Sequence, residues 1–444
     1  MATKLLNPTH DVARRSWLDS ASPGCGDFPL QNLPFGVFRE ARSTNTFRGG
    51  VAIGDQVLDL RALAGESLVT GNAAAALQAC NSEALNGLLA MGPGAWSALR
   101  RSLFELLTEN ASEPVRQKVR RCLVPLTRIE HRLPTQPGDY TDFYTSIDHA
   151  LNVGRLIFPD RPLTPNFQWL PIAYHGRVSS MGVSGQRFHR PRGQRLAPGT
   201  STPIFGPCTH LDYELELAIY VGPGNDLGHP IRLDAADNHI FGIGLLNDWS
   251  ARDHQFWEMA PLGPFLGKNF ATTVSPWIVT LEALAPYRLA WTRPADHPQP
   301  LSYLETLENR AQGAFDIQLE VWLSSRTQRQ DGRAATRLSR TSFRHQYWTV
   351  AQMVAQHTVG GCNLQPGDVL GSGTISGPTP GEAGAIIELT EGGRKPLNLG
   401  QGEQRNFLED GDVITFKGWC EKTGYARIGF GECCGEILPV QAYA

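Results

Sequence analysis

The stretch Leu211-Asp212-Tyr213-Glu214-Leu215-Glu216-Leu217-Ala218-Ile219-Tyr220-Val221 repeats its apolar residues with a period of two, the period of a β-strand and not of a helix. Leu211, Tyr213, Leu215, Leu217 and Ile219 share one face, and Glu214 and Glu216 share the other, about 6.5 to 7 Å apart given the rise per strand residue. Two readings of the acidic face compete. In one, the strand is half-solvated and its carboxylates stand in water. In the other, a hard divalent cation joins the two acids, and Ala218 and Tyr220 make their face too apolar to be simply solvated.

Outward from this strand, turn signals recur at short intervals, in Gly222-Pro223-Gly224-Asn225, Gln365-Pro366-Gly367-Asp368 and Glu409-Asp410-Gly411-Asp412, between short apolar runs such as Val413-Ile414-Thr415-Phe416. The 46 glycines and 31 prolines among 444 residues fit a turn-rich, strand-rich chain. Toward the N-terminus, Gly54-Asp55-Gln56 splits two apolar runs and predicts a hairpin, glycine reaching positive φ without a clash. From Arg61 to about Cys122 the chain is rich in alanine and leucine, and Ala73 to Ala79 and Trp96 to Leu107 are helix formers free of internal proline. Leu133-Pro134-Thr135-Gln136-Pro137-Gly138 denies regular hydrogen bonding and predicts a boundary. The expectation is a mainly β, α+β protein of two domains: residues 1–133 as a small β-barrel with surrounding helices, residues 134–444 as a larger mixed β domain.

Composition removes several classes of function. Forty Lys and Arg against 43 Asp and Glu leave a formal charge of −3, so no basic field draws the protein to nucleic acid or an anionic membrane. Nothing approaches the roughly 18 consecutive apolar residues of a membrane helix. The eight cysteines are scattered with no CxxC pair, which predicts reduced thiols. Met1 to Ser20 has neither the apolar core of a secretory signal nor the acid-poor character of a transit peptide, so the expected location is cytoplasmic. There is no H-E-x-x-H, P-loop, G-x-S-x-G or zinc-finger spacing. The acids are hard oxygen donors, so any metal should be Mg2+ or Ca2+ and not zinc.

Other segments carry candidate chemistry. The apolar run from Gly242 ends in Asn247-Asp248-Trp249-Ser250-Ala251-Arg252-Asp253; Ser250 and Asp253 suggest a capping arrangement, and Asp248 either caps the turn or stands at a strand end as a ligand. Lys268 lies in a Gly/Pro/aromatic loop from Pro261 to Phe270, an unusual setting for lysine and suited to stabilising an oxyanion. Ser146 is a candidate N-cap and Gly154 a candidate C-cap of a short helix holding His149, with Asp142 and Tyr144 in the extended entry. A lone helical histidine is usually structural; an acid and a phenol in the same segment favour a site. Leu370-Gly371-Ser372-Gly373-Thr374-Ile375-Ser376-Gly377 is no nucleotide fingerprint, and its glycines suit close backbone approach to a small-molecule pocket. Ala385-Ile386-Ile387-Glu388-Leu389 reads as an apolar strand with Glu388 either at the surface or buried and orienting a histidine.

Together, Asp142-Phe143-Tyr144 with His149 and Asn152-Val153-Gly154, Tyr174-His175-Gly176-Arg177, Glu214-Leu215-Glu216, Val221 to Asn225, Asn247 to Asp253, Pro261 to Lys268 and Ser372 to Gly377 resemble the fumarylacetoacetate hydrolase family, from roughly Asn32 to the C-terminus. The resemblance implies an SH3-like N-terminal barrel and a catalytic β-roll. It implies a homodimer, and metal-dependent hydrolysis of the carbon–carbon bond of 4-fumarylacetoacetate to fumarate and acetoacetate, the last step of tyrosine and phenylalanine degradation. It assigns Asp142, Glu214, Glu216 and Asp248 to the cation, with Lys268 and Thr272 around it. His149 matches the general base, Glu388 the acid that orients it, and Tyr144, Gln255 and Thr374 the substrate contacts, with Arg252 in the same shell. Two positions depart from the family pattern. Met259 stands where the family has a substrate-binding tyrosine, and its substrate-gripping arginine has no clean counterpart, Arg155 and Arg161 being the candidates. An acylpyruvate hydrolase, a 2-oxo acid decarboxylase or a catalytically silent metal-binding protein are the alternatives on the same residues.

Overall fold

In the computed structural model, which describes residues 6–197 and 199–442, the alternating stretch forms a short strand, Leu211–Asp212, and a longer one, Leu215–Val221. Every residue of the longer strand is buried. Leu215, Leu217, Ile219 and Val221 enter one hydrophobic core while Ala218 and Tyr220 enter a second on the opposite face. The half-solvated reading therefore fails, because the strand is central and both faces are covered.

Leu215–Val221 pairs antiparallel with Ile240–Asp248 on one side and Val369–Gly371 on the other. These belong to a 13-stranded mixed sheet, which continues from Val369–Gly371 to Tyr140–Tyr144 in parallel and then to Ile172–His175. In the other direction it passes from Ile240–Asp248 through Trp277–Thr280 to Phe35–Glu40, Arg48–Ile53, Gln56–Asp59 and Leu123–Pro125. The N-terminal strands are thus hydrogen-bonded into the same sheet as the central ones. A second sheet of five strands is ordered Thr336–Ser342, Gln318–Ser324, Val413–Cys420, Ile428–Leu438, Gln186–His189.

The N-terminal hairpin forms as its sequence predicts, with Ile53 opposite Gln56 and Gly54 at φ 58°, so that Gln56 opens the return strand. Helices Gly71–Ala79 and Pro93–Leu107 place Ala76, Leu77, Leu99, Leu103 and Leu107 in one core with Leu58 of the hairpin and Leu60 and Leu63 of the helix Leu60–Gly65 that follows it. All eight cysteines are unpaired. Among the described residues no helix is long and apolar enough to cross a membrane.

Three local expectations need correction. Helix Ile147–Ile157 starts where Ser146 accepts the backbone N–H of His149, as predicted, but it ends at Phe158 and not at Gly154. Gly154 is needed within the helix for a different reason: the carbonyl of Pro162 lies 2.0 Å from where a Cβ would sit. Helix Arg252–Glu258 is preceded by Ala251 with no side-chain cap; the Ser250 hydroxyl donates to the carbonyl of Asp248, and Asp253 accepts from Thr209. Glu388 lies not in a strand but in a one-turn helix, Ile386–Leu389. The apolar, β-branched sequence gave the wrong period there because a tertiary partner, Asp212, accepts the free amides of Ile386 and Ile387.

The Gly154 contact has a measurable consequence. Gly154→Ala must displace the chain at Pro162, and should lower stability by about 1–3 kcal/mol despite the better helix propensity of alanine; denaturant unfolding would show a lower midpoint, whereas a higher one would mean that propensity outweighs the clash.

Candidate active site

Strand register brings distant acids together at one edge of the central sheet. Gly371 lies opposite both Ala218 and Asp142, Leu215 opposite Asn247, and Asp248 opposite Thr272. As a result Asp142, Glu214, Glu216 and Asp248, all buried, present carboxylate oxygens that lie within 4.8 Å of one another. Gly371 makes the convergence possible, since a Cβ there would stand 2.9 Å from Glu216 Oε2, 2.9 Å from Tyr140 Oη and 3.1 Å from Asp142 Oδ1. The close backbone approach expected of the glycine-rich segment is thus an approach to the acid cluster.

Each acid has different company. The Lys268 ammonium donates to Glu214 Oε2 and, at 3.0 Å, to Asp248 Oδ2, which also accepts from Tyr174 Oη at 3.1 Å. The Thr272 hydroxyl donates to Asp248 Oδ1 at 2.8 Å, and Arg252 Nη1 donates to Glu214 Oε1 at 2.7 Å. Glu216 Oε2 accepts the backbone N–H of Gly373 at 3.0 Å. Glu216 Oε1 and Asp142 Oδ1 are buried acceptors without a hydrogen-bond partner among the described residues.

The electrostatics follow from this geometry. Burial, then repulsion from Asp248, pushes the Asp142 carboxyl well above its ordinary range. Burial, followed by repulsion from Asp142 and Asp248, does the same to Glu216. Burial would also raise Glu214, but Lys268 and Arg252 overcome it and hold that group far below the usual carboxylate value. Lys268 would be lowered by burial, yet Asp248 and Glu214 push it up and keep it charged. Four carboxylates thus face one ammonium and one guanidinium, and the guanidinium is shared with a fifth acid, Asp212, through Arg252 Nε at 2.9 Å. Two orphaned oxygens in a buried set of four hard-oxygen donors fit a divalent cation.

A second constellation adjoins the cluster. His149 Nδ1 is 2.7 Å from Glu388 Oε1. A carboxylate only accepts, so Nδ1 carries a proton toward Glu388, and in the neutral ring the lone pair is then on Nε2. Glu388 is held in turn by Asn152 Nδ2 at 2.9 Å and by the Ser376 hydroxyl at 2.9 and 3.0 Å. Burial would raise Glu388, but His149 and these donors bring it below its ordinary value. The Tyr144 ring stands edge-on to His149, with centroids 5.5 Å apart.

The remaining candidates are placed as follows. Gln255 accepts from Arg252 Nη1 at 3.3 Å, and Thr374 is buried beside Gly373 with its methyl toward Gly384. Met259 is 38% exposed at the end of helix Arg252–Glu258. Arg155 is exposed, with Nη1 on Asn152 of its own helix at 3.4 Å, and Arg161 is exposed in the following loop; the structure sets neither against the acids. Tyr174, Asn152 and Ser376 stand in the sequence motifs with no role that the sequence suggests, and Asp212 stands there only as a strand residue.

Comparison with known proteins agrees with the geometry. The family model described as fumarylacetoacetate (FAA) hydrolase C-terminal matches residues 140–437, so the chain belongs to the fumarylacetoacetate hydrolase family. A model described as fumarylacetoacetase N-terminal matches residues 31–134. The chain is 48% identical over 431 residues to the fumarylacetoacetase of Arabidopsis thaliana, covering 96% of this chain and 98% of that one. It is 46% identical over 419 residues to the fumarylacetoacetase of Homo sapiens, covering 93% and 96%. The solved structure of a fumarylacetoacetate hydrolase from psychrophilic Exiguobacterium antarcticum shares the fold, with a TM-score of 0.51 at 16% identity over 92% of this chain and 99% of that one.

Because the Glu388 carboxyl is held below its ordinary value of 4.5, it contributes stability that is present above that value and lost as pH falls through the lowered one. Glu388→Gln should therefore flatten the fall of stability with acid below pH 4.5, measured by thermal unfolding across pH; an acid limb as steep as that of the unmodified protein would contradict the lowered value.

Proposed function

We propose that this chain is a fumarylacetoacetate hydrolase, cleaving the carbon–carbon bond of 4-fumarylacetoacetate with water to give fumarate and acetoacetate. The observation that carries it is the juxtaposition of the buried four-carboxylate cluster with the His149–Glu388 pair, in a chain whose relatives of that activity match it nearly end to end.

The difficult part of the chemistry is a carbon leaving group, which must pass its charge to oxygen. Asp142, Glu214, Glu216 and Asp248 would hold a divalent cation, which would supply the electrophile that a 1,3-dicarbonyl needs. His149 Nε2 takes a proton from a water molecule, and the resulting hydroxide attacks the carbonyl on the fumaroyl side. Glu388 fixes the tautomer and stabilises the imidazolium that forms. The bond from that carbonyl carbon to the adjoining methylene then breaks; the electron pair leaves with the acetoacetate portion, which takes up a proton as fumarate forms. Arg252 Nη2 is buried and has no hydrogen-bond partner among the described residues, a donor in reserve for the developing oxyanion, with Lys268 and the amide of Gln255 beside it. Tyr144 and Thr374 line the same region as substrate contacts. All of these residues lie between 142 and 388, within the unit 134–444 to which we assign catalysis; the unit 1–133 supplies none.

Mg2+ or Ca2+ is the proposed cation, on the all-oxygen donor set. A homodimer is the proposed assembly. Its support is the row of exposed apolar side chains Phe256, Trp257, Met259, Leu262, Phe265 and Leu266, which rims the site between Arg252 and Lys268 and would otherwise stand in water.

Two variants separate the roles. His149→Ala should lose turnover by about 100- to 10,000-fold with cation binding kept, since the base is not a ligand. Glu214→Gln together with Glu216→Gln should abolish cation uptake in calorimetry. Loss of diketone ultraviolet absorbance is the activity readout, with and without chelator; wild-type rate in the His149 variant, or undiminished binding in the double variant, would overturn the respective assignment.

A further inference from the structure

Asp212 takes no part in the scheme above, yet its carboxylate is fully committed. It is wholly buried. Oδ1 accepts the backbone N–H of Ile386 at 2.7 Å and of Tyr213 at 2.8 Å; Oδ2 accepts Arg252 Nε at 2.9 Å and the N–H of Ile387 at 3.2 Å. Each of these contacts is with a donor, so both oxygens are held from two sides.

We infer that Asp212 is a positioning residue that locks the turn carrying Glu388, and with it His149, to the guanidinium of Arg252, and so fixes the proton-transfer pair relative to the cation site. The inference rests on the function proposed above. Helix Ile386–Leu389 has a single turn, and Ala385 before it offers no side-chain cap. A helix that short does not hold itself, and its first amides have no partner within it. Asp212 supplies those partners from outside. The turn is further docked by the N–H of Leu215 on the carbonyl of Gly384 at 2.9 Å and by a bridge between Glu214 and Ala385. Glu388 follows Ile387 directly and reaches His149. On its other side Asp212 anchors Arg252 Nε while Nη1 of the same guanidinium holds Glu214, a member of the acid cluster. One carboxylate therefore spans the acid that orients the base and the cation that holds a metal-site acid.

Asp212→Asn tests this, since an amide must turn its NH2 either toward the N–H groups of Ile386 and Tyr213 or toward the guanidinium and the N–H of Ile387. The expected result is a fall in kcat of about 100-fold, the cost of a small displacement in an organised site. KM and calorimetric cation affinity should stay within about threefold, and Asp212→Asn with Glu388→Gln should be little slower than Glu388→Gln alone. Independently of turnover, the downfield proton resonance of His149 Nδ1–H, assigned by its loss in His149→Ala, should shift or broaden in Asp212→Asn. Should the amide fail to fold, Asp212→Glu keeps the charge but displaces both contacts, and the same resonance change is expected. An unchanged resonance, a kcat loss explained wholly by KM or by lost cation, or a multiplicative loss in the double variant would overturn the inference. Inactivity of the unmodified protein on 4-fumarylacetoacetate would instead refute the proposed function, and the resonance would still decide the role of Asp212.

Discussion

Four carboxylates brought within 4.8 Å of one another inside a protein is the constraint on which the rest of this structure turns. Buried charge of one sign is expensive, and it persists only where partners or a metal offset it. Lys268 and Arg252 offset part of it, at Glu214 and Asp248; Asp142 and Glu216 keep an oxygen each with no partner among the described residues. The local imbalance is a demand for a cation, and it is also what would make that cation a strong electrophile once it is there.

The sheet meets this demand by register and not by flexible loops. Glu216, Asp142 and Asp248 stand on adjacent or nearly adjacent strands, so their spacing is set by backbone hydrogen bonds. The absence of a side chain at Gly371 opens the space between them. Cores on both faces of Leu215–Val221 keep water from competing with the few donors present. The His149–Glu388 pair is built differently. His149 sits on a well-capped helix, whereas its partner Glu388 sits on a single turn that depends on contacts from other segments.

Much of this was legible in the chain. The alternation from Leu211 to Val221 located the strand, Ser146 located a helix start, and the Gly54 hairpin was placed, because each depends on neighbours in sequence. The family resemblance located the acids, His149, Glu388 and Lys268. Where the chain misleads, a contact outside the local pattern is the cause: Glu388 resembles a strand residue, Gly154 a cap and Ser250 an N-cap, and in each case a partner that the pattern does not contain decides otherwise. Asp212 redirected the first, Pro162 the second, and the third lost its cap when the Ser250 hydroxyl bonded back to Asp248 while Thr209 engaged Asp253.

The sequence by itself determined the periodicity of the elements, the balance of charge, and the inventory of hard-oxygen ligands and candidate bases, since all of these are properties of composition and of neighbours within a few positions. Only the tertiary structure decided that the acidic face of the strand is buried, that Tyr174, Asn152 and Ser376 support the site, and that Asp212 joins its two halves. The physical reason is that burial and hydrogen-bond partnership between residues tens to hundreds of positions apart are set by strand register and packing, and neither leaves a local mark in the chain.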